Sequence, residues 1–164
     1  MTPRSLKPVV RTALFPGSFN PFTIGHKSIV DRATALFDTV IIAIGSNDSK
    51  YPADSAAVEE RKEAIRRIYP DHPHVEVISY TGLTVDACRQ YGARWILRGI
   101  RSVADFEYER NLADINRRIS GIETMLLFSL PEYASISSSM VRELRHYGRD
   151  VSEFLPRPKD EILL

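Results

Sequence analysis

The sequence predicts an α/β fold: a doubly wound, five-stranded parallel sheet with helices on both faces. Three observations carry that expectation. Short apolar runs alternate with longer segments of helical period, as parallel strands joined by helices do. The run TVIIAIG at residues 39–45 is almost continuously apolar, which marks a strand covered on both faces. The glycine-rich and polar segments follow the apolar runs, at the carboxyl ends of strands, where such sheets bind ligands.

A first strand is expected over residues 9–15, stopped by Pro16 and Gly17. Between it and the strand at 39–45, Ile29, Val30, Ala33 and Phe37 fall on one side of a helix. The next helix, 56–68, sets Val58, Ala64, Ile65 and Ile68 in a strongly charged sequence and stops before Pro70. A strand at 75–79, a helix at 83–91 and a short strand at 95–97 follow. In the long helix at 103–119, Tyr108, Leu112, Ile115 and Ile119 step by four, three and four as an apolar stripe. A fifth strand at 124–130 precedes a helix at 137–147 that turns Met140, Val141 and Leu144 inward, and a smaller turn near 151–155. The whole is Rossmann-like, with residues 1–8 as an N-terminal extension and 9–164 as one domain.

A chain of 164 residues can bury enough apolar surface to fold without disulfides or structural metal. Its 22 Lys and Arg nearly balance 21 Asp and Glu, so no general basic field draws it to nucleic acid and any anion site is local. The single cysteine, Cys88, excludes an internal disulfide and a cysteine-rich zinc cluster and fits a reducing compartment. Neither a signal-peptide core nor a membrane-length apolar stretch is present, so the expected location is cytoplasmic, with no membrane partner.

Three motifs carry chemistry. GSFNPFTIGH, residues 17–26, runs from the first strand into the first helix. Gly17 lets the backbone approach a ligand, the helix start offers free amides to a phosphate, and His26 in the first turn is placed to hydrogen-bond a phosphate oxygen as charge develops. Read as single residues, the same letters also make an ordinary strand-to-helix turn. ILRGIRSVADFEYE, residues 96–109, brackets Gly99 with Arg98 and Arg101, so that two guanidinium groups emerge from one tight turn to grip phosphate oxygens; elsewhere such a pair is simply solvated. ISSSMVREL, residues 136–144, offers serine hydroxyls and helix amides to a triphosphate, or else an ordinary serine N-cap. Ser137 and Ser139 are not followed by the Glu or Gln of a capping box. Lys50, in SNDSKYP after the second strand, taken alone is a surface residue.

Taken as strings, these segments are far more specific. GSFNPFTIGH resembles the nucleotidyltransferase signature ending in (H/T)xGH, RGIRSVADFEYE resembles the RGxRxxxDFEYE run of phosphopantetheine adenylyltransferases, and ISSSMVRE resembles the superfamily's ISSSxVRE motif. The chain is thereby identified as similar to the phosphopantetheine adenylyltransferase family from Leu14 to about Pro156. The resemblance implies transfer of the adenylyl group of ATP to 4'-phosphopantetheine, giving dephospho-coenzyme A and pyrophosphate. Its implied catalytic residues are His26, Lys50 and Arg101. Ser18, Lys50, Thr84 and Arg98 would contact phosphopantetheine. Ser18, Phe19, His26, Gly99, Ile100, Arg101, Glu109, Tyr133, Ala134, Ser135, Ile136, Ser137, Ser138 and Ser139 would contact ATP. Mg2+ would arrive with ATP, with no metal site made by the protein, and the chain would assemble as a homohexamer. Asn20 departs from the aspartate commoner in the family, and Phe15 from a frequent tyrosine.

The attacking phosphate is already anionic at neutral pH, so positioning and electrostatic stabilisation should dominate, and the absence of a nucleophile triad or carboxylate pair fits. A nicotinamide mononucleotide adenylyltransferase shares the phrase GSFNP but not the RGIRSVADFEYE run. A non-catalytic nucleotide sensor would need damage at His26, Lys50 or the arginines. Cys88 and Trp95 read as packing residues, and His72 and His74 in PDHPH as a loop pair without further metal ligands. The spatial expectation is that three distant loops meet at one rim of the sheet.

Overall fold

The computed structural model describes residues 9–46 and 55–157. Strands β1 (Thr12–Gly17), β2 (Thr39–Ser46), β3 (Val75–Thr81), β4 (Trp95–Ile100) and β5 (Glu123–Phe128) form one parallel sheet in the order β3-β2-β1-β4-β5. Helices α1 (Ile24–Ala33), α2 (Ser55–Arg66), α3 (Thr84–Gln90) and α4 (Val103–Ser120) connect the strands; α5 (Ser138–His146) follows a 3-10 turn at Pro131–Tyr133. Alternate strand residues feed two cores. Ala13, Phe15, Val40, Ile42, Ile44 and Leu97 pack with Ile29, Val30 and Ala33 of α1 and Val58 and Ile65 of α2. Leu14, Ala43 and Ile96 point the other way and pack with Val85, Ala87 and Cys88 of α3. Trp95 packs on Phe37, ring centroids 5.8 Å apart.

The strand order reverses between β1 and β4, and the pairing there is short. β1 pairs with β2 from Thr12 to Gly17, but with β4 only through Ala13 and Leu14, opposite Trp95 and Ile96. Beyond Leu14 the two strands part, which opens the sheet at its carboxyl end.

The structure departs from or adds to the sequence expectations at several points. β1 starts at Thr12 rather than at residue 9, because β2 begins opposite it at Thr39; Val9 and Val10 have no strand to pair with and are exposed. β4 runs to Ile100 instead of ending at residue 97, so Arg98 and Gly99 are strand residues in register with Leu126 and Leu127 rather than parts of a tight turn. The α4 stripe is divided: Ile115 and Ile119 are both 54% exposed, Tyr108 is 61% exposed while lining both clefts of the site, and Leu112 joins Glu109, Ala113 and Asn116 in lining a cleft against the sheet. In α2 Ala64 is likewise exposed, and in α5 only Val141 is fully buried, with Met140 and Leu144 half-buried.

Candidate active site

Two adjoining clefts open where β1 and β4 part. The first, about 380 Å³, brings together the β1–α1 loop, the end of β4 and the start of α5. The second, about 540 Å³, lies between the sheet and α4. Pro16, Gly17, Ser18, Arg98, Tyr108 and Glu109 line both. Of the residues expected at ATP, Ser18, Phe19, His26, Gly99, Arg101, Glu109, Tyr133, Ile136, Ser137, Ser138 and Ser139 line the first cleft. Ala134 and Ser135 do not, and the Ile100 side chain is buried in the protein. Of those expected at phosphopantetheine, Ser18, Thr84 and Arg98 line the second. Lys50 lies outside the described residues.

His26 is held by the start of its own helix. Thr23 is the N-cap of α1; its hydroxyl accepts from the His26 N–H at 3.4 Å, while the Thr23 N–H donates to His26 Nδ1 at 3.0 Å, closing a capping box with histidine in the place of Glu or Gln. Phe19 and Phe22 flank the ring, at centroid distances of 5.1 and 5.4 Å. Burial first, and then the charges of Arg101 and Arg98, push the His26 pKa down to about 4, so the ring is neutral at pH 7. With Nδ1 accepting, the single ring proton sits on Nε2, and His26 is a neutral hydrogen-bond donor.

The arginines are organised by carboxylates. Arg98 donates from Nε and Nη2 to the two oxygens of Glu109 at 2.8 and 2.6 Å, and from Nη1 to the Pro16 carbonyl at 2.7 Å. Glu109 is the one buried residue of α4, and this bidentate pair is what lets a charged side chain stand within β4. Of the five guanidinium N–H groups, one on Nη1 and one on Nη2 remain for an anion. Arg101 bonds Asp105 through Nε at 3.3 Å and reaches the Ile136 carbonyl at 3.2 Å, so it joins the start of α4 to the start of α5.

The serine run is only partly free. Ser137 caps α5, accepting from the Met140 N–H at 3.1 Å, so the ordinary capping role is real. Ser138 donates to the Pro21 carbonyl at 2.8 Å, and Ser139 accepts from Arg142 at 3.2 Å. Together with Arg142, which donates to the Asn20 carbonyl at 2.6 Å, they tie α5 to the β1–α1 loop. The starts of α1 and α5 thus border the same cleft, where free amides and helix dipoles favour negative charge.

Residues not singled out from the sequence complete the second cleft. Tyr80 bonds Thr84, hydroxyl to hydroxyl, at 2.8 Å, and Ser46, Asn116 and Thr124 add polar groups, the Thr124 hydroxyl being buried without a partner. For Ser46 and Tyr80 the one signal was position, at strand carboxyl ends; Asn116 on α4 and Thr124 at the start of β5 had none. Among the described residues no three His, Cys, Asp or Glu side chains are grouped to hold a metal ion, and no helix is long and apolar enough to cross a membrane.

The cytidylyltransferase-like family model matches residues 14–144. Phosphopantetheine adenylyltransferase of Porphyromonas gingivalis is 58% identical over 144 residues, which cover 88% of this chain and 93% of that protein. That of Bacteroides thetaiotaomicron is 51% identical over 150 residues, covering 90% and 96%. A solved structure of a bifunctional NMN adenylyltransferase/ADP ribose pyrophosphatase from Francisella tularensis superposes with a TM-score of 0.65 at 18% identity, over 92% of this chain and 46% of that one. At that identity the likeness speaks for the fold alone. With the motifs, the doubly wound sheet and these relatives in agreement, the chain belongs to the phosphopantetheine adenylyltransferase family, among the cytidylyltransferase-like nucleotidyltransferases.

Proposed function

We propose that this chain transfers the adenylyl group of ATP to 4'-phosphopantetheine, releasing pyrophosphate and forming dephospho-coenzyme A. The observation that carries the reading is the convergence of His26, Arg98 and Arg101 with the starts of α1 and α5 on one cleft that shares Ser18 and Arg98 with a second. ATP takes the first cleft and the acceptor the second, its phosphate at the shared wall. There the phosphate oxygen attacks the α phosphorus in line with the departing pyrophosphate. The acceptor is already ionised, so the work of the site is to hold two polyanions together and to stabilise charge on the crowded phosphorus. Arg98 and Arg101 supply fixed positive charge and His26 its Nε2–H. Lys50, on the family resemblance, adds a further cation at the acceptor phosphate.

The first cleft brings cations and hydroxyls together, and its two carboxylates, Asp105 and Glu109, are engaged by Arg101 and Arg98, so Mg2+ fits as an ion carried in on the triphosphate with phosphate and water ligands. When bound it neutralises part of the triphosphate charge. The working state we propose is a cytoplasmic homohexamer, following the family resemblance. The exposed Ile115 and Ile119 of α4 and Phe128 of β5 support burial against other copies, which light scattering would measure.

The deciding experiment offers ATP and Mg2+ with 4'-phosphopantetheine or nicotinamide mononucleotide in parallel and identifies the product by mass. Dephospho-coenzyme A is the expected product. A dinucleotide formed only from the second acceptor would overturn the substrate assignment.

A further inference from the structure

Arg61 lies outside both clefts and still binds the loop that lines them. It sits on α2, with Nε donating to the Ala57 carbonyl one turn back at 3.2 Å and Nη1 donating to the Ser18 carbonyl at 2.6 Å. Its approach is from behind. With Phe19, Asn20, Pro21 and Phe22 it lines a separate groove of about 410 Å³, whereas Ser18 itself lines both reaction clefts.

The residue after Ser18 is the strained one. Phe19 has φ 45°, a left-handed conformation that a residue with a Cβ keeps only under constraint. The carbonyls on either side of it are both held by arginines, that of Ser18 by Arg61 and that of Asn20 by Arg142. In this conformation the Phe19 ring is buried, stands edge-on to His26 at 5.1 Å, and covers Gly17 so closely that a Cβ there would lie 2.8 Å from it. With the Ser18 carbonyl released, the 18–19 peptide can turn toward ordinary backbone, and the ring that shields His26 loses its seat.

We propose that Arg61 is a positioning residue for adenylyl transfer: by fixing the Ser18 carbonyl it holds Phe19 left-handed, and Phe19 in turn seats and dries the His26 ring. The inference rests on the proposed reaction for its catalytic consequence, but its geometric content is independent of it. Arg61 lines neither cleft. Its effect therefore runs through His26, which faces Arg98 of β4, Arg101 of the β4–α4 loop, and Asp105 and Glu109 of α4 across the same cleft.

The test uses the full chain and Arg61→Met, which keeps the aliphatic stem but has no donor. NMR titration of the histidine ring signals should show the His26 pKa rising from about 4 toward the ordinary 6.5 as water reaches the ring. Turnover should fall on the order of 10- to 100-fold with both KM values little changed, as a misplaced catalytic group predicts. Arg67→Met, just past the end of α2 and lining the same groove, should leave both readouts alone. Arg61→Lys keeps the charge but offers one nitrogen where arginine uses two, Nε for Ala57 and Nη1 for Ser18, so it should fall between; it also serves as the test if Arg61→Met does not fold. A folded variant with wild-type His26 titration and wild-type turnover overturns the inference. Absence of turnover in the wild-type chain would instead count against the reaction, with the titration still testing Arg61.

Discussion

The two ring nitrogens of His26 have separate duties, and a pair of substitutions isolates that of Nε2. His26→Asn keeps an acceptor near the Nδ1 position, and with it the bond from the Thr23 N–H, but removes the Nε2 donor. His26→Gln is the ordinary residue of a capping box, so its amide oxygen accepts from the Thr23 N–H while its amide N–H is offered toward the Nε2 position. A donor aimed at charge that develops in the transition state contributes roughly 3 to 4 kcal/mol, so His26→Asn should lower kcat on the order of 100- to 1000-fold with little change in KM for ATP. Both variants keep an acceptor for the Thr23 N–H, so both should melt close to the wild type, and His26→Gln should retain more of the rate than His26→Asn. Steady-state pyrophosphate release at saturating substrates, with thermal melting alongside, gives both numbers. Near-normal turnover in His26→Asn, or a loss in His26→Gln as deep as in His26→Asn, would refute the Nε2 assignment. So would a wild-type pH–rate profile with an acidic limb near pH 6.5 that vanishes in His26→Asn, because a ring with a pKa of about 4 is neutral there throughout.

Three further outcomes are expected. The folded His26 pKa of about 4 lies below the ordinary 6.5, so as pH falls the unfolded chain takes up the proton first: stability is full above pH 6.5 and declines to about pH 4, by about 3 kcal/mol in all, read as the wild-type minus His26→Asn difference in urea denaturation. Glu109→Gln leaves the Arg98 guanidinium without its carboxylate and should cost about 2 kcal/mol in chemical denaturation, below the full cost of breaking a buried pair because the Arg98 side chain is 28% exposed; an unchanged midpoint would show that the pair does not brace β4. Thr84→Val removes a hydroxyl that bonds Tyr80 in the second cleft, and a matrix of initial rates should show KM for the acceptor rising by roughly 5- to 10-fold with KM for ATP unmoved, as the loss of one hydrogen bond predicts.

Much of this architecture is written in local patterns. Strands covered on both faces carry continuous apolar runs, so β2 and the cores it feeds were readable, and the motif strings identified the loops that meet at the cleft. What stayed hidden depends on partners remote in the chain. Arg98 reads as a loop residue because a charged strand position makes sense only with Glu109, eleven residues on, closing over it from α4. The α4 stripe has helical spacing in either orientation; that Ile115 and Ile119 are left exposed follows from Glu109, Leu112 and Asn116 lining a cleft on the other side. The capping box at Thr23 escaped because histidine, not Glu or Gln, fills its third position. Arg61 was invisible as anything but a surface charge, since its partner is a backbone carbonyl 43 positions away.

The parting of β1 from β4 has a mechanical side. Past Leu14 no ladder of peptide groups spans the two halves of the sheet, and the stitch across that mouth is a guanidinium on the Pro16 carbonyl. The side chain that greets an incoming anion is therefore also the clasp between the halves, so occupancy of the mouth and the tightness of the seam report on one another.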